Sequence, residues 1–339
     1  MTNQAVDQQA ITTEEGWIPL SSSSEAGTGF IDTGTVSIEH FDLLHGDRLS
    51  DISVHYNRYG VNHKPALVVL GGISSSRDIH VWWTDLFGHQ KPLDLEQFQV
   101  IGVDYIANSD QRNPSLISTF DQARVISEVL VHLGIKHLEA IVGSSYGGMV
   151  ALAFAHLFPQ KINKLVCIAA AHTNTQTSIA QRQIQQQILE LGISSGKTKE
   201  AVSIARQLGF ISYRSQQELE HRFNTSRVIE QQSLSYELVN YLKHQGDKFA
   251  AKFDIERYRS LSQSIDLHKV DPKGVVNDAL FIGIDSDQLV PADLVKKTAT
   301  LCKGQSKFQI INSYYGHDGF LLEASQLTES ITLFLRNTL

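Results

Sequence analysis

Leu138-Glu139-Ala140-Ile141-Val142-Gly143-Ser144-Ser145-Tyr146-Gly147-Gly148-Met149 is the stretch on which the fold turns. It begins as an apolar strand, passes through a G-x-S-x-G turn, and opens a helix that starts at Tyr146 and stops before Pro159. That order describes a nucleophile elbow, a turn so sharp that its serine takes strained backbone angles. Small residues two places before and after the serine are needed to avoid clashes, and Gly143 and Gly147 stand there. The Ser145 hydroxyl is then expected above the sheet. The amide of Tyr146 and the positive end of the helix would face any negative charge that forms beside it. A glycine-rich turn that merely links strand to helix is the bland alternative.

Outward from this segment the chain repeats one texture. Short apolar runs at 66–70, 98–103, 138–142, 164–171, 279–284 and 307–311 are each followed by a glycine or polar turn and a helical pattern. Continuous apolar runs suit strands buried on both faces of a mainly parallel sheet, and strand–helix alternation means a doubly wound α/β core. Thr119 and Gln122 predict a capping box for a helix whose Phe120, Ala123, Ile126, Val129, Leu130 and Leu133 share a face and which Gly134 ends.

Ahead of the core, Val36, Ile38, Phe41 and Leu43 pair with Ile52, Val54 and Tyr56 across a His45-Gly46-Asp47-Arg48 turn. This predicts an antiparallel hairpin, with a bulge where the alternation changes phase near Phe41. Residues 1–33, polar and without a period, are expected to form a flexible arm. Residues 172–270 break the alternation, with no strand pattern and four or five helices, among them 175–191, 198–209, 216–223 and 233–243. A hundred residues is too much for a loop. It predicts a helical cap inserted between two halves of the core, 34–171 and 271–339, over the carboxyl ends of the strands, where open α/β sheets bind ligands. Gln181–Gln187 is expected to be the polar face of a cap helix.

The chain has 339 residues, 42% of them hydrophobic and 19% charged, enough for an ordinary globular core. A formal charge of −7 speaks against a general nucleic-acid binder. Of the two cysteines, Cys167 lies in an apolar run and is expected to be a buried thiol, and no disulfide framework is implied. The first residues lack the apolar core of a secretory signal, and no stretch approaches the length of a membrane span. A cytoplasmic protein is expected. There is no HExxH, Cys/His cluster or P-loop, so no metal site is predicted.

A serine hydroxyl needs a base to take its proton, and in this topology the acid and the histidine follow the serine in that order. After the 279–284 strand comes Asp285-Ser286-Asp287; after the 307–311 strand comes Tyr315-Gly316-His317-Asp318-Gly319. His317 is the expected base. Asp287 is the expected orienting acid, with Asp285 as the competitor that would cap the turn instead. The loop Leu70-Gly71-Gly72-Ile73-Ser74 should supply the second oxyanion donor, the amide of Ile73 or of Gly72, beside that of Tyr146. The chemistry implied is two-step acyl transfer through Ser145, needing no cofactor.

Four segments carry a more specific signal: Gly71-Gly72-Ile73-Ser74-Ser75-Ser76-Arg77 with Trp82-Trp83, 143–149, Ala205-Arg206-Gln207-Leu208-Gly209-Phe210-Ile211-Ser212-Tyr213-Arg214-Ser215, and Tyr315-Gly316-His317-Asp318-Gly319-Phe320-Leu321. In these the chain, from about residue 36 to 337, resembles the homoserine O-acyltransferase family of the α/β-hydrolase fold. It departs from the family pattern in a shorter cap and in the Gly71-Gly72-Ile73 tripeptide. The resemblance implies acyl-CoA as co-substrate, L-homoserine as acceptor, a place in methionine biosynthesis, and a homodimer formed through the cap, for which Ile184, Ile188 and Leu191 are a candidate seam, with an intrachain core contact as their alternative role. It assigns the substrate carboxylate to Arg206 and the amino group to Asp318, with Arg214 as the competing cation. An acetyl donor is expected ahead of succinyl, which would need a cation in the acyl pocket; Arg77 and His80 are candidates. Serine as acceptor, a lidded esterase or thioesterase, and a non-catalytic ligand-binding protein are the other readings. CoA release without acceptor would mark the esterase, and failure of a fluorophosphonate to label Ser145 the binding protein.

Overall fold

The computed structural model describes residues 30–107, 115–223, 227–230 and 233–336. In chain order the elements are β1 (Phe30–Asp42), β2 (Arg48–Tyr59), β3 (Ala66–Leu70), α1 (Ile79–Trp82), β4 (Gln99–Val103), α2 (Thr119–His132), β5 (Leu138–Ser144), α3 (Tyr146–Leu157) and β6 (Ile162–Ile168). There follow α4 (Gln176–Ser195), α5 (Thr198–Tyr213), α6 (Gln216–Arg222), β7 (Arg227–Glu230), β8 (Ser233–Tyr236), α7 (Glu237–Ala250) and α8 (Ile255–Asp266). The chain then returns to β9 (Asp278–Ile284), α9 (Ala292–Leu301), β10 (Ser306–Ile311), α10 (Gly319–Leu322) and α11 (Ala324–Arg336).

Eight strands form one sheet in the order β1-β2-β4-β3-β5-β6-β9-β10. β1 and β2 are an antiparallel hairpin, β2 runs antiparallel to β4, and every later pairing is parallel. The apolar runs become strands because both of their faces are covered. Leu67 and Val69 point into one core cluster and Val68 and Leu70 into the other, all at 2% exposure or less. Burying side chains of this size stabilises by roughly 1.5–3 kcal/mol each. The chain belongs to the α/β class with a mostly parallel sheet.

Several details differ from the sequence reading. The pairing is regular through Ile38↔Ile52 and Phe41↔Leu49, and the one register shift lies between Phe30 and Asp32. The change of phase near Phe41 is therefore absorbed without a bulge there. Residues 30–33 belong to β1, while the rest of the expected arm lies outside the described residues. α2 is capped one residue earlier than predicted. Ser118 is the N-cap, and its hydroxyl and backbone amide are answered by Asp121 in a capping box. Gln122, freed from that role, pins the Ile106 backbone through both its amide oxygen and nitrogen.

The segment after β6 is helical except for β7 and β8, a two-stranded hairpin that the sequence reading did not find. Strands of four residues carry too little alternation to register. The Gln-rich face of α4 also points inward: Arg182, Gln185 and Gln186 are buried. Arg182 bonds Asp266 and Asn174, and Gln185 accepts from the Tyr258 hydroxyl, so polar groups are paired between helices. Cys167 is a buried free thiol. Among the described residues no helix is long and apolar enough to cross a membrane.

Candidate active site

Ser145 sits between β5 and α3 at φ 53° and ψ −122°, a conformation that L-residues rarely adopt. The strain persists because the surrounding backbone leaves no alternative. The Ser145 amide donates to the Ile168 carbonyl at 2.9 Å and the Gly147 amide to the Gly71 carbonyl at 2.9 Å. A Cβ on Gly143 would strike the Gly147 carbonyl oxygen, and one on Gly147 would strike that of Leu70. Both positions therefore demand glycine on space alone.

The loops after β9 and β10 bring the other two groups to the serine. His317 Nε2 lies 2.8 Å from Ser145 Oγ, and its Nδ1 lies 2.6 Å from Asp287 Oδ2. The second oxygen of Asp287 accepts the amides of Leu289 and Val290 at 2.8 and 2.9 Å, which fixes the carboxylate plane. Asp285, the competitor, turns elsewhere and accepts the Ser313 amide. Burial pushes the His317 imidazole down, but the charge of Asp287, its hydrogen bond and the more remote Asp318 outweigh that and raise it above the ordinary 6.5. The arrangement gives a hydroxyl in contact with a base that is held in the tautomer able to accept its proton.

The Gly71-Gly72-Ile73 loop is fixed against the elbow. The Gly71 carbonyl takes the Tyr105 hydroxyl at 2.7 Å as well as the Gly147 amide. Gly72 and Ile73 line a cavity of about 110 Å³ over Ser145, while Tyr146 begins the helix that points at the same spot. Core loops form one wall of this cavity. The other wall comes from α4, α5 and α8, and includes Arg182, Arg206 and Tyr258.

Three arginines reach the cavity, and their pairing separates them. Arg182 is ion-paired to Asp266 at 2.6 Å. Arg214 is shared by Glu218 at 3.0 Å and Asp318 at 3.1 Å. Arg206 has no carboxylate partner among the described residues. Its guanidinium lies 4.4 to 5.0 Å from the ring centroids of Phe249, Phe210 and Tyr213, and its buried Nε lacks a hydrogen bond. Aromatic faces hold such a cation, and its hydrogen bond from Nη1 to the Tyr213 hydroxyl is long at 3.4 Å, so its charge is left without a counter-charge among the described residues. Asp318 lines the same cavity and offers a carboxylate already half-committed to Arg214. Arg214, the competitor for Arg206, is thereby consumed.

Arg77 and His80 do not line the cavity. Arg77 is held by Asp104 and Asn57, and His80 sits against Tyr59. Arg182 is the cation that sequence reasoning missed; its partner Asp266 lies 84 residues away, so no local pattern marks it. Between Ser145 and Arg182 a side chamber of about 30 Å³ opens, walled by Met149, Leu289, Val290 and Leu294.

The alpha/beta hydrolase fold family model matches residues 65–324. A homoserine O-succinyltransferase from Xanthomonas campestris pv. campestris is 30% identical, covering 85% of this chain and 80% of its own. A homoserine O-acetyltransferase from Deinococcus radiodurans is 29% identical, covering 86% and 89%. Among solved structures, a homoserine O-acetyltransferase from Staphylococcus aureus superposes with a TM-score of 0.78 at 25% identity, over 91% of this chain and 96% of that one. Esterase E22 superposes at 0.81 over 90% and 99%, but at 17% identity that likeness concerns the fold alone.

Proposed function

Since the chain belongs to the homoserine O-acyltransferase family of the α/β-hydrolase fold, we propose that it carries an acyl group from acyl-CoA to L-homoserine through an acyl-serine, as a step of methionine biosynthesis. The observation that carries this reading is Arg206. A guanidinium with no carboxylate partner among the described residues and a carboxylate, Asp318, line one cavity with Ser145, and a zwitterionic amino acid needs one cation and one anion placed together.

In the first half-reaction Ser145 Oγ attacks the thioester carbonyl while His317 Nε2 takes its proton. The amides of Ile73 and Tyr146 face the developing oxyanion, and the thiolate of CoA leaves with the proton from His317. In the second half the homoserine hydroxyl gives its proton to His317 and attacks the acyl-serine, and Ser145 recovers a proton as the ester departs. Asp287 keeps Nδ1 protonated throughout. The cap walls the cavity and limits the access of water to the acyl-enzyme.

For the acyl group, the small apolar chamber beside Ser145 favours acetyl. Arg182 on its wall gives succinyl a second claim, although Asp266 already neutralises that charge. The acceptor reading prefers homoserine to serine by no more than the one methylene between them, about 1–3 kcal/mol. Of the three seam residues, Ile188 is partly buried against the core, while Ile184 and Leu191 are exposed on α4 and fit a homodimer through the cap, which light scattering would test. The deciding experiment is thiol release from acetyl-CoA and succinyl-CoA, with and without homoserine or serine. Acceptor-dependent release is expected. Release that ignores the acceptor would make the protein a lidded thioesterase, and no release with any pair would end the acyl-CoA reading.

A further inference from the structure

The cavity over Ser145, at about 110 Å³, is too small for the nucleotide end of coenzyme A. Pockets for ligands of that size run to roughly 300–1,000 Å³. On the proposed function, that end must occupy a cleft that adjoins the cavity. Three described clefts share wall residues with it. The chamber behind Ser145 holds about 30 Å³. A second, beyond Trp82 and Phe320, holds about 50 Å³ and has Asp85 as its only charged lining group. The third holds about 540 Å³ and has Ser74 and Ser75 in common with the wall of the catalytic cavity.

The charges of this third cleft suit an anion. Lys252 and Arg257 enter from the cap side, and His55 from β2. Arg257 is aimed by its bond to the Tyr105 carbonyl at 3.0 Å, and the ammonium of Lys252 makes no hydrogen bond or ion pair with the described residues. Of the two acids on the walls, Asp104 is neutralised by Arg77, and Asp51 is exposed at the rim. Phe253, stacked on Phe249, lines the same cleft with the Arg257 guanidinium 5.8 Å from its ring centroid. A basic cleft of about 620 Å³, lined by Arg58, Lys64 and Lys136, also exists, but it lies at the amino end of β3 and shares no wall with the cavity. A thioester tethered there would be on the wrong edge of the sheet.

We propose that the cleft between β2, residues 74–76 and the start of α8 holds the 3′-phosphorylated ADP of coenzyme A. Lys252 and Arg257 bind its phosphates, and the pantetheine arm passes over residues 74–75 to Ser145. The assignment rests on acyl-CoA being the donor, and its test is separable from that reading. Coenzyme A and adenosine 3′,5′-bisphosphate are titrated calorimetrically into the wild type, Lys252→Glu and, as an equal charge change at the far cleft, Lys136→Glu. Lys252→Glu should weaken both ligands at least tenfold, and Lys136→Glu less than twofold. The ratio of kcat/KM for acetyl-CoA to that for S-acetyl-pantetheine should fall about tenfold in Lys252→Glu alone. Equal affinities in the two variants, or no binding of either ligand to the wild type, would overturn the site. Binding that tracks Lys252 while no donor supports transfer to homoserine would instead remove the proposed function and leave the nucleotide site standing.

Discussion

In the core, Ser145 is held by main chain: two glycines with carbonyl oxygens where a Cβ would be, a φ of 53°, and amides bonded to neighbouring strands. In the cap, Arg206 is held by side chains alone, through three aromatic rings from α5 and α7 and the Tyr213 hydroxyl, with no carboxylate among the described residues. The core thus fixes the reacting atoms by backbone geometry that tolerates no substitution. The cap fixes the partner molecule by charge and stacking, which substitutions can tune. Changes in the core should abolish the chemistry, and changes in the cap should redistribute affinity.

The contrast would break first at the nucleophile. Ser145→Ala should lower acyl transfer by at least about 10⁴-fold, read as thiol release, with the mass of the acyl adduct lost from the intact protein. Asp287→Asn should cost a similar factor, about 10⁴. Its Oδ1 would still take the Leu289 and Val290 amides, leaving an NH₂ toward His317 Nδ1 and the wrong tautomer at Nε2. Because the partner carboxylate raises His317, the acidic limb of kcat/KM in the wild type should lie above 6.5, with activity rising as pH increases through it. A limb below 6.5 would contradict the pairing.

A structural histidine sharpens the comparison from the side of stability. His268 is buried where the cap rejoins the core, with Thr119 Oγ1 2.9 Å from Nδ1 and the Ala171 carbonyl 2.9 Å from Nε2. Burial holds its imidazole down at about 4, against a bond to Ala171 that pulls the other way. The unfolded chain takes the proton near 6.5 and the folded one only near 4. Stability from this group is therefore whole above pH 6.5 and is lost as pH falls toward 4, by on the order of 3 kcal/mol. Urea midpoints at pH 7 and 4.5 should show the loss, and His268→Gln should flatten it.

The smallest effect belongs to the cap. Arg206→Gln should raise the KM for homoserine roughly 10- to 100-fold, the cost of one charged hydrogen-bonding contact of about 1.5–3 kcal/mol. It should do so without abolishing the burst of thiol from acyl-CoA in the absence of acceptor. Equal losses in the burst and in acceptor KM would mean that the cap positions the chemistry as well.

The same divide governs what the sequence could tell. The elbow is legible because its constraint is local: Gly143 and Gly147 bracket Ser145 within five residues. His317 and Asp287 are legible by topology, each following a strand whose apolar run is continuous. The α2 cap was misread by one place because Ser118 and Thr119 are adjacent and either can cap. The cap's polar interior was not legible at all. Arg182 meets Asp266, and Arg214 meets Asp318, across distances that no helical period encodes. A buried arginine and a solvated one look alike until both partners are placed.

Gly316, at φ 65°, packs so closely under residues 213–215 that a Cβ there would lie 2.7 Å from the Tyr213 carbonyl oxygen and from the Ser215 amide. The Ser215 hydroxyl also bonds the Tyr314 carbonyl at 2.6 Å. The loop that carries the catalytic histidine is thus braced by the end of α5, and a side chain at 316 would force the two apart: Gly316 joins lid and proton relay by closeness alone.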